Sequence, residues 1–476
     1  MQEYQLIAKT FQGLEEVLAQ ELTELGANDI QMGRRMVSFT GNKEMMYRAN
    51  FCLRTAVRIL KPIHSFEART PDEVYSAIRA MHWEDHMDAD WSFAIDTVAF
   101  SQEFRNSRFV TYRVKDAIVD RFREDLHAER RPNISVSNPD LRINVHIAEK
   151  QVTVSLDSSG DSLHLRGYRV ASVEAPINEV MAAAMIKMSG WQCDTDFIDP
   201  FCGSGTLLIE AALIARNIYP GIFRQKFGFE NWKDFDRDLL DRIYEDDSQE
   251  REFNHHIKGY DLNVRAVEAA LANVKSAGVS DIVTVEQQDF ENFQQPAEKA
   301  IIVTNPPYGE RLRMGDTSEL YAMIGTTLKH QFVEGEAWII SSREELFESI
   351  GMRPSFRVPL LNGELPCEFR KYQVFAGRMK DFKSAGRLIK SDDERRRMTQ
   401  QSRKFQKASG FRKETRQEGY TPRISDDRWA AMSEEEREQE RQYRLLRQKH
   451  QDFERQNNPR PAGPRKPFTK RPPRKD

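Results

Sequence analysis

The stretch IIVTNPPYGERL, residues 301–312, runs four apolar or small residues into Asn305, Pro306, Pro307 and Tyr308. Neither proline has an N–H for a β-ladder, so a strand must stop there and leave Asn305 and Tyr308 at its C-terminal edge. DFIDPFCGSGTLLIEAA, residues 196–212, reads as a strand ending at Asp199, a glycine-containing turn and a helix starting near Thr206. Gly203 and Gly205 let the backbone approach a ligand closely. Leu208 stands where the third glycine of G-x-G-x-x-G belongs, which weighs against a nicotinamide dinucleotide. An acid opening such a turn suits a ligand that carries an ammonium; the alternative is a purely structural turn. In IKGYDLNVRAVEAALANVKSAG, residues 257–278, Asp261 ends the next strand, where an acid accepts from ribose hydroxyls or caps the following helix. In VEQQDF, Asp289 ends a third strand. It could accept from an adenine amine with Phe290 against the ring, or be an ordinary loop acid. Asp199, Asp261, Asp289 and Asn305 all fall at carboxyl ends of sequential strands, the rim at which open α/β sheets bind ligands.

The elements that hold these residues follow from apolar periodicity. From about Ala175, buried strands alternate with helices, the pattern of a doubly wound parallel sheet. INEVMAAAMIKMSG, TLLIEAALIARNI, VRAVEAALANVKSAG and SELYAMIGTTLKHQF are the helices, and DFID, IKGYD, VTVEQQD, AIIVTN, EAWIISS and QVFAGRM the strands. The charged segment from Asp234 to Asn254 reads as an inserted surface helix. Residues 1–60 form a small α/β unit with strands at YQLIAKT and RMVSFTG. Residues 61–165 repeat the theme. Thr70, Pro71 and Glu73 there signal a capped helix start, SRFVTYRVKDAIVDRFRED an amphipathic helix, and Glu149 and Lys150 a hairpin turn.

Of the 476 residues 39% are hydrophobic and 30% charged, and no stretch approaches the roughly 18 apolar residues of a membrane span. MQEYQLIAKTFQGLEE shows no secretory pattern. Cys52, Cys193, Cys202 and Cys367 are far apart and form no C-x-x-C pair, which implies reduced thiols and a cytoplasmic protein. His82, His86, His255 and His256 lack a recognised ligand spacing, so no metal is expected. The net charge of −3 hides an asymmetry. Residues 383–476 carry 27 Lys+Arg against 15 Asp+Glu, leaving 44 against 59 for the rest. This low-complexity tail reads as disordered, and serves either a polyanionic partner or solubility.

DPFCGSGT, GYDLN, QQDF and NPPYGERL together resemble the class I (Rossmann-like) S-adenosylmethionine-dependent methyltransferases that modify exocyclic amines. RNSRFVTYRVKDAIVDRFRE, PDLRINVHIAEKQVTVSLDSSGDSLHLRGYR and APINEVMAAAMIKMSGW are similar to the THUMP-containing 23S rRNA guanine-N2 methyltransferases, and the likeness covers residues 1 to about 380. The resemblance implies a ferredoxin-like segment at 1–60, a THUMP-like RNA-binding α+β domain at 61–165 and a methyltransferase domain at 166–382. It implies S-adenosyl-L-methionine as cofactor, with Asp199, Phe201, Gly203, Ser204 and Gly205 around the methionine moiety. Asp261 and Leu262 would sit at the ribose, Asp289 and Phe290 at the adenine, and Asn305 beside both donor and target. Asn305, Pro306, Pro307 and Tyr308 would hold the target base, the Asn305 oxygen and Pro306 carbonyl receiving its amine and Tyr308 stacking on it. Arg105, Arg108, Arg113 and Lys115 would touch RNA phosphates, or form an ordinary solvated helix face. The partner implied is 23S rRNA or a large-subunit precursor, with no membrane. Some relatives continue into a second methyltransferase domain; the tail in its place implies that this second activity is absent. A tRNA guanine target and a catalytically silent assembly factor are the alternatives, and DNA adenine is disfavoured by the N-terminal half.

Overall fold

The computed structural model describes residues 2–295, 299–308, 314–363 and 365–375. The basic tail at 383–476 and residues 309–312 of the proline-bearing stretch lie outside the described residues.

The N-terminal part builds one mixed sheet from β1 (Tyr4–Lys9), β2 (Asn28–Gly33), β3 (Met36–Gly41), β4 (Arg58–Glu67), β5 (Ser92–Phe100), β6 (Asn133–Ile134), β7 (Leu141–Ala148) and β8 (Gln151–Asp157). The strand order is β2-β3-β1-β4-β8-β7-β5-β6. Helices α1 (Glu15–Leu25), α2 (Lys43–Cys52), α3 (Pro71–Ala80) and α4 (Ser107–Asp120) belong to this part. β4 joins its halves: residues 58–60 pair with β1 and residues 60–67 with β8. The division expected at residue 60 therefore passes through a strand shared by both segments. β2 escapes sequence reading because nearly all its side chains are exposed, which leaves no apolar alternation. The α3 start follows its signals. Thr70 Oγ1 accepts from the Glu73 N–H at 3.2 Å, while Glu73 reaches back to the Arg69 N–H at 2.7 Å, one residue before the cap.

The second sheet comprises β9 (Asp196–Asp199), β10 (Ile257–Asp261), β11 (Val283–Gln287), β12 (Ala300–Thr304), β13 (Glu336–Ser341), β14 (Phe356–Asn362) and β15 (Leu365–Gln373), in the order β11-β10-β9-β12-β13-β15-β14. Its helices are α5 (Glu179–Ser189), α6 (Thr206–Ala215), α7 (Arg237–Tyr244), α8 (Val264–Ser276), α9 (Met314–Gln331) and α10 (Glu344–Ser349). β9 to β13 pair in parallel, and β15 is antiparallel to both β13 and β14. Phe197 and Val303 join the core on one face of the sheet, and Ile198 and Ile302 the core on the other. That two-sided burial is why these strands read as continuous apolar runs.

Two expectations are corrected. The closing strand among the described residues lies at 365–373, paired with β14 at 356–362; it shares only Gln373 with the expected strand at 373–379, of which residues 376–379 lie outside the described residues. Pro359 and Pro366 disguise this hairpin. Pro359 is tolerated because β14 is the sheet edge, and Pro366 because it stands near the start of β15. The segment around α7 is also more than a surface insertion. Leu239, Leu240 and Ile243 are buried in the N-terminal core with Phe229, whose ring stacks on Tyr47 at 4.0 Å. The chain after α6 thus reaches back and binds the two sheets together. At the same junction Arg166, 2% exposed, lies 3.4 Å from the buried Glu210 carboxylate and donates to the Leu163 carbonyl at 2.7 Å.

Candidate active site

The strand order reverses at β9, whose neighbours are β10 and β12, so a crevice opens at the carboxyl ends of β9 and β12. Asp199 ends β9 and is 1% exposed. Its Oδ1 accepts from Thr304 Oγ1 at 2.6 Å and from the Phe201 N–H at 3.2 Å. Burial pushes its pKa up to about 7; the nearby Asp261 charge adds to the rise, and the two hydrogen bonds oppose it. A carboxyl kept half-protonated at neutral pH by burial is one that a cationic partner would ionise.

The loop after β9 is held from several sides. The Gly203 N–H donates to Asp261 Oδ2 at 3.0 Å, and Asp261 Oδ1 accepts from the Asn263 N–H at 2.8 Å. Gly203 and Gly205 have φ of +54° and +82°, a region costly for other residues. A Cβ on Gly205 would stand 3.2 Å from the Ala270 Cβ, so helix packing requires that glycine. A Cβ on Gly203 would meet only Val173 Cγ2 at 3.7 Å, so the loop keeps room on that side. Ser204 is buried, and its hydroxyl accepts from Arg169 at 3.0 Å. Arg169 also donates to Thr206 Oγ1 at 2.9 Å and to Glu179 at 2.8 Å. Asn273, 1% exposed, accepts from the Val170 and Ala171 N–H groups and donates to the Ala171 and Ser204 carbonyls, all at 2.8–2.9 Å. Sequence reading missed both residues. Asn273 had a signal, an amide on the apolar face of α8; Arg169 had none.

Asp289 follows β11, and its Oδ1 accepts from the Glu291 N–H at 3.0 Å, capping a short helical turn. The Phe290 ring is 3% exposed, with ring centroids 5.6 Å from Phe201 and 5.2 Å from Phe293. It supports the loop from inside and offers no open face, whereas Leu262, 67% exposed, stands free beside Asp261.

Beyond β12, Asn305 is half-buried, Pro306 buried and Pro307 exposed. Asn305 Oδ1 is shielded from solvent and has no hydrogen-bond partner among the described residues. A buried acceptor left unpaired costs on the order of 1–3 kcal/mol, which an incoming N–H donor would recover. Tyr308 is half-buried against both cores of the sheet, and its oxygen accepts from Asn362 Nδ2 at 3.1 Å. Burial pushes the phenol up to about 12. Asn362 went unnoticed in the sequence because its hairpin did.

The basic residues of α4 divide. Arg113 pairs with Asp72 at 2.6 Å and lies over the Tyr75 ring at 4.3 Å, so it is engaged inside its own domain. Lys115 pairs with its neighbour Asp116 at 2.8 Å. Arg105 and Arg108 are exposed, and with them Phe109 and Tyr112, at 51% and 60%. Positions 108, 109 and 112 lie together on one side of α4, and Arg105 stands two residues before its start. Half-exposed rings between guanidinium groups are a surface suited to stacked bases and phosphates. The two aromatics were legible in RFVTY and were passed over for the charges.

Residues 166–371 match the family described as "RMKL-like, methyltransferase domain", residues 5–60 the "RlmL ferredoxin-like domain" and residues 68–157 the "THUMP domain". The chain is 39% identical over 376 residues to "Ribosomal RNA large subunit methyltransferase K/L" of Syntrophotalea carbinolica, which covers 76% of this chain and 52% of that protein. It thus spans about half the length of that relative. A Synechocystis sp. chain, provisionally named an RNA methyltransferase, is 34% identical across 77% of this chain and 96% of its own length. Among solved structures, SMU.472, provisionally named a methyltransferase and crystallised with SAH, superposes with a TM-score of 0.70 at 32% identity, covering 79% of this chain and all of that one.

Proposed function

The chain belongs to the RMKL-like methyltransferase family, and on that premise we propose that it transfers a methyl group from S-adenosyl-L-methionine to the exocyclic N2 amine of a guanosine in 23S rRNA. The observation that carries the reading is the shielded oxygen of Asn305 at the crevice edge, which has no hydrogen-bond partner among the described residues and suits an N–H donor. The rim also fits the methyl donor. Gly203 leaves space over the loop, Asp261 retains lone pairs beyond its two amide bonds, and Asp199 can pair with an ammonium. When bound, the donor supplies an electrophilic sulfonium methyl.

The chain's own residues do the rest. A guanine amine is a poor nucleophile because its lone pair is delocalised into the ring. Asn305 Oδ1 and the Pro306 carbonyl, receiving its two N–H groups, favour a pyramidal nitrogen with the lone pair turned towards the methyl. Proline fixes φ at both following positions, so the acceptors are aimed before the substrate arrives. Such alignment can supply roughly 7–11 kcal/mol. Asp199 would hold the donor's ammonium, Asp261 and Leu262 its ribose, and Asp289 its adenine. Tyr308 would stack on the extruded base. The limits 1–60, 61–165 and 166–382 and a cytoplasmic setting belong to the same proposal.

RNA would be met by Arg108, Phe109 and Tyr112 on α4 and by Arg105 just before it. Phe109→Ala and Tyr112→Ala each weaken RNA affinity on the order of tenfold in fluorescence anisotropy, because one base–aromatic stack is worth about 1–3 kcal/mol. Arg113→Ala leaves RNA affinity near normal. An unchanged Kd in both aromatic variants would remove α4 from the interface. The reaction itself is tested by transfer of labelled methyl from the donor to purified 23S rRNA or large-subunit precursor, with tRNA alongside. Label in tRNA alone would contradict the rRNA assignment, and no binding of the donor by calorimetry would indicate a silent fold.

A further inference from the structure

We propose that Asn362, at the tip of the β14–β15 hairpin, is a positioning residue that anchors the Tyr308 phenol oxygen and so sets the direction of the ring against which the target base stacks. The inference rests on the proposed function and adds a residue from a different element to the site.

The geometry is specific. Tyr308 follows two prolines that stiffen the backbone at its N-terminal side, but they do not set its first side-chain torsion, which carries the whole ring. The hydrogen bond from Asn362 Nδ2 reaches the phenol oxygen at 3.1 Å; that oxygen lies on the Cβ–Cγ axis, so holding it restrains the swing of the whole ring about its first torsion, while packing against both cores limits rotation about the second. Asn362 is itself held. It pairs across the hairpin with Leu365, and the next residue, Gly363, has a φ of +64°, the left-handed region that a tight turn uses and glycine tolerates. The hairpin is in turn registered on β13 through residues 368–373 of β15, from Glu336↔Gln373 to Ser341↔Glu368. A chain of main-chain pairings thus runs from the middle of the sheet to the phenol of Tyr308.

The surroundings of that phenol exclude a proton-transfer role. Its neighbours are the Asn362 amide and the buried Cys367 thiol, which burial holds above its ordinary range and therefore neutral. Buried and pushed up to about 12, the phenol stays protonated at neutral pH, far from the value useful to a general base. An oxygen that is bonded and does not titrate serves here to orient the ring. A base stacked on a wrongly tilted ring would carry its amine away from Asn305, and displacements of about 1 Å can cost on the order of a hundredfold in rate.

A double-mutant cycle on the full chain tests this. Asn362→Ala removes the hydrogen bond from one end, and Tyr308→Phe removes it from the other together with the phenol's contact to the Cys367 thiol. Each should lower kcat for RNA methylation about tenfold, and the double variant should be no slower than either, because the interaction is already lost. KM for RNA and donor affinity by calorimetry should not change in any of the three. Effects that multiply to about a hundredfold, or wild-type turnover in Tyr308→Phe, overturn the assignment. Tyr308→Phe keeps the ring and the fold, so it decides the matter even if Asn362→Ala unfolds. If the unmodified chain binds the donor but transfers no methyl to any RNA, the functional reading fails and this inference with it. Transfer by the unmodified chain with a multiplicative cycle overturns the inference alone.

Discussion

Asn305→Ala lowers kcat for methyl transfer by roughly 10²–10³ while leaving the affinity for S-adenosyl-L-methionine unchanged. That is the loss seen when one aligned transition-state acceptor or donor is removed from a preorganised site. The expectation follows from what the oxygen does in the free protein, where it is shielded from solvent and satisfied by no described residue. Its cost would be carried by the free chain and relieved when an N–H group arrives. Asn305→Asp is the sharper comparison. It keeps an acceptor at the same place but adds a charge in a partly buried site, so turnover should fall less than in the alanine variant and depend on pH. Single-turnover kinetics separates this from product release. A kcat within threefold of the unmodified chain in Asn305→Ala would remove Asn305 from the chemistry.

Donor affinity falls as the pH drops below about 7, and Asp199→Asn both weakens it by roughly 10–100-fold and flattens that dependence. A charge-assisted hydrogen bond is worth about 1.5–3 kcal/mol, which corresponds to that range. In the free chain the Asp199 pKa is pushed up to about 7, chiefly by burial. An ammonium can pair only with the ionised form, so binding displaces a proton from any chain that starts protonated. One pH unit below that value, affinity should be about tenfold weaker. The same shift acts on folding with a fixed sign. The contribution of Asp199 to stability is complete below about pH 4, near its unfolded value, and is lost as the pH rises through about 7. Ligand-free thermal melts should show that decline, and saturating S-adenosylhomocysteine should oppose it. Calorimetric titration across pH 5.5–8.5 is the check, and a flat profile in the unmodified chain would exclude an Asp199–ammonium pair.

The parallel sheet was legible because each buried strand ends on a polar residue. DFID, IKGYD and AIIVT carry apolar runs that stop at Asp199, Asp261 and Asn305; β9 and β10 end on those acids, and β12 ends at Thr304, one residue before Asn305. Helix starts at Pro71 and Thr206 also followed from local chemistry, a cap in one case and a glycine turn in the other. What the sequence concealed depended on contacts between distant segments. Arg169 and Asn273 look like an ordinary cation and an ordinary amide until the fold brings them against Ser204. The β14–β15 hairpin was hidden by two prolines that only an edge position and a strand start make tolerable. With it went Asn362, the residue that reaches the most conspicuous aromatic of the site. Phe290 illustrates the converse. Its type suggested a stacking face, but only packing could reveal that Phe201 and Phe293 already occupy its surroundings.

The most direct test of the account is nucleoside mass spectrometry of 23S rRNA and tRNA from a strain lacking this chain, compared with its parent. The account predicts that one N2-methylguanosine disappears from 23S rRNA, returns with the unmodified chain and does not return with Asn305→Ala. An unchanged 23S rRNA together with a lost tRNA N2-methylguanosine, or no lost methyl mark in either RNA, would contradict it.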